Sequence, residues 1–363
     1  MSSKLLPFSA LLVLAACNGA ALVGPAGGDG GTDPGDSIVD LPGEEERDGS
    51  VTRYEAFNAE TGSGYAEGIE VVTNPDGSTT FFVDNLAFDG GDGNGYREGT
   101  AVASIGRTGV NAGPFTVYEG PNSVPDIGDG DPIGQFLHRA IYAESANTNP
   151  DGSPRTRFAI VRTGAYVDYG FGGFLYERNG SVVLPTAAEI AAEPDFQANF
   201  TGDYASLVDY NGRGGVHYGT GNMEVAIDFQ DFNDGAGVYG YVTNRQYFDI
   251  NGNNVTGAYL TALSDDLGYD VGAGEGLTGV PALVFTVGPG VLDADGELQG
   301  QLTSTAVNSD GIAELYESGT YYAVLSGDVT NDTGEVAGII VVTSDDPGGA
   351  DERRETGGFI VYQ

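Results

Sequence analysis

Met223-Glu224-Val225-Ala226-Ile227-Asp228-Phe229 alternates large apolar residues with polar or small ones. That period of two belongs to a strand with one buried face. Similar runs recur on its C-terminal side at 237–243, 257–263, 282–287, 296–303, 319–329, 336–343 and 357–363. Asn211-Gly212, Asn251-Gly252, Asp295-Gly296 and Asn331-Asp332-Thr333-Gly334 fall between them. Such pairs suit hairpins, whose tight turns need positive φ. Around eight strands at this spacing, the last at the end of the chain, predict an antiparallel barrel over residues 200–363, closed by that final strand.

On the N-terminal side the same grammar continues less regularly. Strand-like runs at 65–72, 79–88, 133–142 and 157–169 are separated by acidic, glycine-rich loops, notably Asp89–Gly95 and Asp126–Asp131. Residues 51–185 therefore read as a smaller β-sheet region. Pro185-Thr186 before Ala187-Ala188-Glu189-Ile190-Ala191-Ala192-Glu193, with Pro194 following, reads as a short capped helix. It is the one helix the sequence predicts, and residues 186–199 are expected to link the two regions. The fold class is all-β: an eight-stranded antiparallel soluble barrel preceded by a smaller sheet, with the barrel expected to fold alone.

The first residues carry a different signal. Lys4 precedes an apolar run from Leu5 to Ala16, too short for a bilayer, which takes roughly 20 residues. Leu14-Ala15-Ala16-Cys17 ends it, and Cys17 is the only cysteine of the chain. The motif is similar to the lipobox of bacterial lipoproteins. That resemblance implies a signal peptide over 1–16, lipidation of Cys17, and attachment to the outer membrane, at the cell surface. Residues 17–50, rich in Gly, Pro, Asp and Ala, are expected to form a disordered tether.

Composition narrows the chemistry. The 363 residues carry 53 Asp and Glu against 14 Lys and Arg, for a net charge of −39, with 60 glycines, 20 Tyr, 17 Phe and no Trp. Lys4 is the only lysine. Without Lys4 the chain cannot hold a phosphate-loop nucleotide or form a Schiff base, both of which need a lysine amine. Nucleic acid is excluded as a partner, because a polyanion is repelled by this charge. The acidity reads first as a hydrated surface adapted to salt, where repulsion is screened within about 8 Å.

Phe200-Thr201-Gly202-Asp203-Tyr204-Ala205-Ser206-Leu207, residues 219–229 and Gly237-Val238-Tyr239-Gly240 together resemble the barrel domain of the transferrin-binding protein B family. Leu298-Gln299-Gly300-Gln301-Leu302, Ala337-Gly338-Ile339 and Gly357-Gly358-Phe359 fit its later strands. The resemblance implies a lipid-anchored surface protein with a handle-like sheet before the barrel, one that binds a host or environmental ligand. It carries no binding residue over to this sequence. It also implies partners: the outer membrane through lipidated Cys17, an unknown protein or small molecule, and an outer-membrane transporter or export factor.

No catalytic, cofactor or metal residue is assigned. His138 and His217 are the only histidines and lie in different regions, whereas a zinc site needs three or four converging ligands. Gly274-Glu275-Gly276-Leu277-Thr278-Gly279 matches a dinucleotide pattern without the strand and helix that pattern requires. The two acidic loops offer oxygen ligands for calcium but match no calcium-loop spacing. Tyr166, Tyr169, Phe171 and Phe174 form the candidate ligand-contact patch, because aromatics supply large contact area at low entropic cost; a buried sheet core explains them equally. The expected role is binding without catalysis. A protective surface protein without a ligand, and a glycan hydrolase, are the alternatives.

Overall fold

A computed structural model describes residues 41–363 except 85–95, 99–114, 121–122, 127, 135–137, 165–168, 193–195, 233–234, 289–290 and 350. The N-terminal part holds β1 (Gly43–Glu45), β2 (Val51–Tyr54), β3 (Glu67–Thr73), β4 (Thr79–Asp84), β5 (Tyr96–Glu98) and β6 (Phe115–Glu119). It continues with β7 (Ser123–Pro125), β8 (Pro132–Gly134), β9 (His138–Glu144), β10 (Thr156–Thr163) and β11 (Gly172–Arg178). All but β7 and β8, which make a separate hairpin, join one nine-stranded sheet in the order β1-β2-β11-β10-β9-β6-β5-β4-β3. β1 falls inside the stretch expected to be a tether, and it adds an edge strand to this sheet.

The rest of the chain comprises β12 (Val182–Val183), α1 (Ala187–Ala192), β13 (Gln197–Tyr210), β14 (Arg213–Phe232), β15 (Gly235–Phe248) and α2 (Thr256–Asp266). β16 (Leu283–Phe285), β17 (Glu297–Val307), β18 (Ala313–Asp328), β19 (Glu335–Asp345) and β20 (Glu352–Tyr362) follow. From β13 to β20 each strand pairs antiparallel with the next, and β20 pairs back onto β13 from Thr201↔Tyr362 to Tyr210↔Arg353. Eight strands thus close into a barrel, and the closure leaves no open sheet edge. β12 lies outside the ring, parallel to β18. α1 starts with a capping box: Thr186 Oγ1 accepts from the Glu189 amide at 3.3 Å, and Glu189 Oε2 accepts from the Thr186 amide at 2.8 Å.

One predicted strand is a helix. Residues 257–263 belong to α2, inserted between β15 and the three-residue β16. Tyr259, Leu260 and Leu263 recur at helical spacing, and Thr261 is the only β-branched residue between Gly257 and Leu263. Both facts favour the helix.

Alternation along the barrel strands feeds two large cores, one inside the barrel and one against the sheet. Phe200, Tyr204, Met223, Val225, Ile227, Phe285, Tyr321 and Phe359 are among the buried residues that fill the barrel. The opposite faces of β13, β18, β19 and β20 carry Ala205, Leu207, Val324, Ala337, Ile339 and Ile360. These pack against Val117, Ile141, Phe158, Ile160, Phe174 and Tyr176 of the nine-stranded sheet. Two adjacent glycines of β20 make both cores possible. A Cβ on Gly357 would lie 2.0 Å from the Tyr204 hydroxyl, and one on Gly358 would lie 2.2 Å from the Phe158 ring.

Polar clamps ring this interface. Arg53 grips Glu297 with two hydrogen bonds of 2.8 and 2.6 Å. Glu335 accepts from Thr156 Oγ1 and Ser145 Oγ, each at 2.7 Å. The sheet and the barrel belong to one compact unit, Ser37–Gln363. The barrel expected to fold alone therefore shares a core with the sheet before it.

Candidate functional site: the capped end of the barrel

The barrel interior changes character along its length. The end holding Phe200, Ile227 and Val361 is apolar. At the other end the last residues of β15 and the first of β18 and β20 bring charge inside. Arg245 of β15 makes hydrogen bonds of 2.6 and 2.8 Å to the two oxygens of Glu317 on β18. It also reaches Glu355 Oε2 of β20 at 2.5 Å. The same oxygen accepts from Arg353 at 3.1 Å and the Tyr247 hydroxyl at 2.8 Å. Glu355 Oε1 accepts from Tyr204 and Ser206, both at 2.9 Å. Two arginines thus balance two glutamates, and all four side chains are at most 2% exposed.

This balance is what makes burial tolerable, since an unpaired interior charge is far too costly. Burial raises the Glu355 pKa, but Arg245, Arg353 and the hydroxyls outweigh it and hold the carboxyl down at about 2. Burial likewise opposes the Arg245 charge, and Glu317 and Glu355 overcome it, leaving its pKa well above the ordinary arginine value. The Arg353 guanidinium lies 4.7 Å from the Tyr247 ring centre and 4.9 Å from that of Tyr259, within cation–π range. It also donates to the Tyr259 hydroxyl, which in turn meets that of Tyr316.

α2 closes this end and leaves a recess of about 210 Å³ between itself and the barrel rim. Tyr210, Arg213, His217, Tyr247, Tyr259 and Arg353 line it, with Ala258 and Ala262 of α2 on the facing wall. The Tyr210 hydroxyl and His217 Nδ1 are 2.5 Å apart. Burial, with help from Arg213 and Arg353, lowers the His217 pKa, so the ring is neutral at pH 7. Burial pushes Tyr210 up to about 12, so its hydroxyl keeps its proton and shares one hydrogen bond with Nδ1. The neutral ring carries a single N–H. Arginine and histidine N–H groups then outnumber acceptors in the recess, where Asp346 is the one carboxylate.

Of the residues expected to contact a ligand, the described Tyr169, Phe171 and Phe174 do not share one face. Cys17 and Tyr166 lie outside the described residues. Tyr169 is 6% exposed, its ring 4.5 Å from the Arg354 guanidinium. Arg354 itself bonds Asp209 at 3.0 and 2.6 Å on the sheet-facing side of the barrel. Phe174 is buried in the interface, 6.2 Å from Tyr322. Phe171 is half-buried and meets Tyr65 edge-on at 5.2 Å, and Tyr65 meets the exposed Phe57 at 5.1 Å. The acidic loop at 89–95 is outside the described residues. In the other, Asp126 and Asp129 accept the amides of Gly128 at 2.6 Å and Asp131 at 3.0 Å, so these carboxylates build a turn. Among the described residues no group of three or more His, Cys, Asp or Glu is placed to hold a metal ion. No described helix is long and apolar enough to cross a membrane.

The ionic cluster was missed from sequence because its members are scattered from Tyr204 to Glu355. Its one local signal is Arg353-Arg354-Glu355 opening an otherwise apolar final strand. Charges on both faces of a strand that is buried on both faces must find partners inside.

No family model and no curated protein matches this chain. Among solved structures it is similar to the haemoglobin receptor HpuA from Kingella denitrificans, at 12% identity and a TM-score of 0.28, over 90% of this chain and 89% of that one. It is similar to transferrin-binding protein B from Haemophilus parasuis at 11% identity and a TM-score of 0.29, over 82% of this chain and 54% of that one. A surface lipoprotein matches at 11% identity and a TM-score of 0.27, over 81% and 96%. These are similarities of low score, and the site stands on its own geometry.

Proposed function

We propose that this chain is a binding protein of the bacterial outer surface, anchored through acyl chains on Cys17, and that it meets its ligand at the α2-capped end of the barrel. The observation that carries the reading is the recess itself. The barrel is filled by aromatic and aliphatic side chains, so it offers no lumen for cargo. At this one end an inserted helix stands over a buried ionic layer and leaves aromatic and donor groups facing a pocket. Pockets of this kind, apolar with a few convergent polar groups, are where small ligands bind. The N–H-rich wall favours an acceptor-bearing, flat molecule or a protruding group of a larger partner. The lipobox resemblance and the glycine- and proline-rich stretch after Cys17 support display away from the membrane.

A thermal-shift screen of organic acids, aromatic acids and sugars tests this. A true ligand raises the melting temperature of the native chain and has no effect on Ala258→Trp, whose indole occupies the recess. If nothing shifts the melt, or shifts survive Ala258→Trp, the recess is not the site.

A further inference from the structure

The hairpin between β17 and β18 presents apolar side chains that the fold does not use. Val307, Ile312 and Leu315 are 46, 58 and 67% exposed. Thr305 pairs with Leu315 and Val307 with Ala313, which places Val307 and Leu315 on one face of the hairpin. Leu315 also walls a groove of about 460 Å³ running between the hairpin and the last turn of α2. Leu263, Leu267 and Ala306 lie in that groove with it. Ser309 donates its amide to the Leu267 carbonyl at 3.0 Å, and the Tyr269 hydroxyl donates to the Val307 carbonyl at 2.8 Å. The groove is therefore held open by hydrogen bonds of the fold.

The charged residues that line it are all acidic. They are Asp266, Glu314, Asp345 and Asp346, the last already bonded to Arg213 at 2.8 Å. Exposed apolar side chains ringed by polar groups mark interaction sites, and the charge of the rim selects among occupants. A second copy of this chain brings a net charge of −39 against the same sign. The segment 18–40 of this chain contains no Lys or Arg and several Asp, so it is repelled as well. We propose that the groove docks a segment of a partner protein in which apolar side chains alternate with Lys or Arg. The apolar side chains cover Leu315 and Leu267 while the cations meet the carboxylates of the rim. The groove lies further along α2 than the recess and shares only Asp346 and Pro347 with it, so Ala258 and the aromatic lining of the recess take no part in this docking.

Fluorescence anisotropy of the purified full chain with three labelled peptides tests the proposal. One alternates Lys with Leu, one Glu with Leu, and one Lys with Ser. The Lys-Leu peptide should bind and weaken with added salt, and the other two should bind much less tightly. Leu315→Gln, at a side chain too exposed to disturb folding, should weaken Lys-Leu binding roughly tenfold, through loss of apolar burial. Asp345→Asn should weaken it less and flatten its salt dependence. Ala258→Trp should leave it unchanged even where recess binding is lost. Equal binding of Lys-Ser and Lys-Leu, or indifference to Leu315→Gln, would reduce the effect to diffuse attraction by a polyanion and overturn the proposal. Preference for the Glu-Leu peptide, or self-association in sedimentation that Leu315→Gln abolishes, would overturn the choice of occupant.

Discussion

Glu355 accepts hydrogen bonds from Arg245, Arg353, Tyr247, Tyr204 and Ser206, so its charge holds the capped end together. Glu355→Gln would leave Arg353 with tyrosines alone for company and Arg245 with Glu317. Breaking a buried pair in this way should cost about 3–5 kcal/mol, read as a lower urea midpoint at pH 7. The pH dependence follows from the same carboxyl. Its pKa falls from 4.5 to about 2 on folding, so it binds fewer protons folded than unfolded between those values. Its contribution is complete above pH 4.5 and is lost as pH drops toward 2. Glu55, where burial is outweighed by Arg162, is also lowered and acts in the same direction. The acid limb of the native stability curve should therefore be steeper than that of Glu355→Gln. Parallel limbs would mean that Glu355 does not titrate there.

Among the elements, β20 is shared by both cores, and its glycines are the residues that permit this. Gly358→Val would drive a side chain into the Phe158 ring, where even a Cβ stands 2.2 Å away. Overpacking of this kind costs about 1–3 kcal/mol, and near-ultraviolet circular dichroism should report loosened aromatics between sheet and barrel. Gly257→Ala is the contrasting case. Gly257 lies in the first turn of α2 with open space around its Cβ position. Ala there should be neutral or stabilise by up to ~1 kcal/mol. A destabilised Gly257→Ala would show that α2 is not helical at that point. The same two elements show what the sequence could reveal. The run from Val336 to Val342 is apolar at every position, which already indicates burial on both faces of a strand. The barrel closure was equally legible from hairpin turns and strand rhythm. α2 was legible only in part: Tyr259, Leu260 and Leu263 stand at helical spacing, but over seven residues that signal is weak beside the strand rhythm of the flanking runs. The ionic cluster was not legible at all, because Arg245, Glu317 and Glu355 become neighbours only once the strand order is known.

For the whole molecule, the decisive feature is where the arginines go. Seven of them, Arg53, Arg139, Arg162, Arg178, Arg245, Arg353 and Arg354, are buried, and Arg155 and Arg157 are half-buried. Several meet buried carboxylates there: Arg53 meets Glu297, Arg354 meets Asp209, and Arg245 and Arg353 meet Glu355. If Cys17 carries the only anchor, Cys17→Ala should release the protein from outer membranes, and persistence in that fraction at high salt would remove the lipoprotein reading. Protease access tests display as well as anchoring. Arg47 lies exposed in the turn between β1 and β2, while Arg213, the other exposed arginine of the described residues, is stacked 3.8 Å over Tyr210 and bonded to Asp346 at 2.8 Å. Backbone must open locally before a protease can cut, and turns near a sheet edge open most readily. Among the arginines of described exposure, trypsin on intact cells should therefore cut first after Arg47, and that cut should free a fragment beginning at Asp48, detectable by mass in the supernatant. Arg47→Gln should suppress that release, and a lysine-specific protease should produce none, because Lys4 is the only lysine. Release only after the outer membrane is permeabilised would place the body in the periplasm and refute surface display.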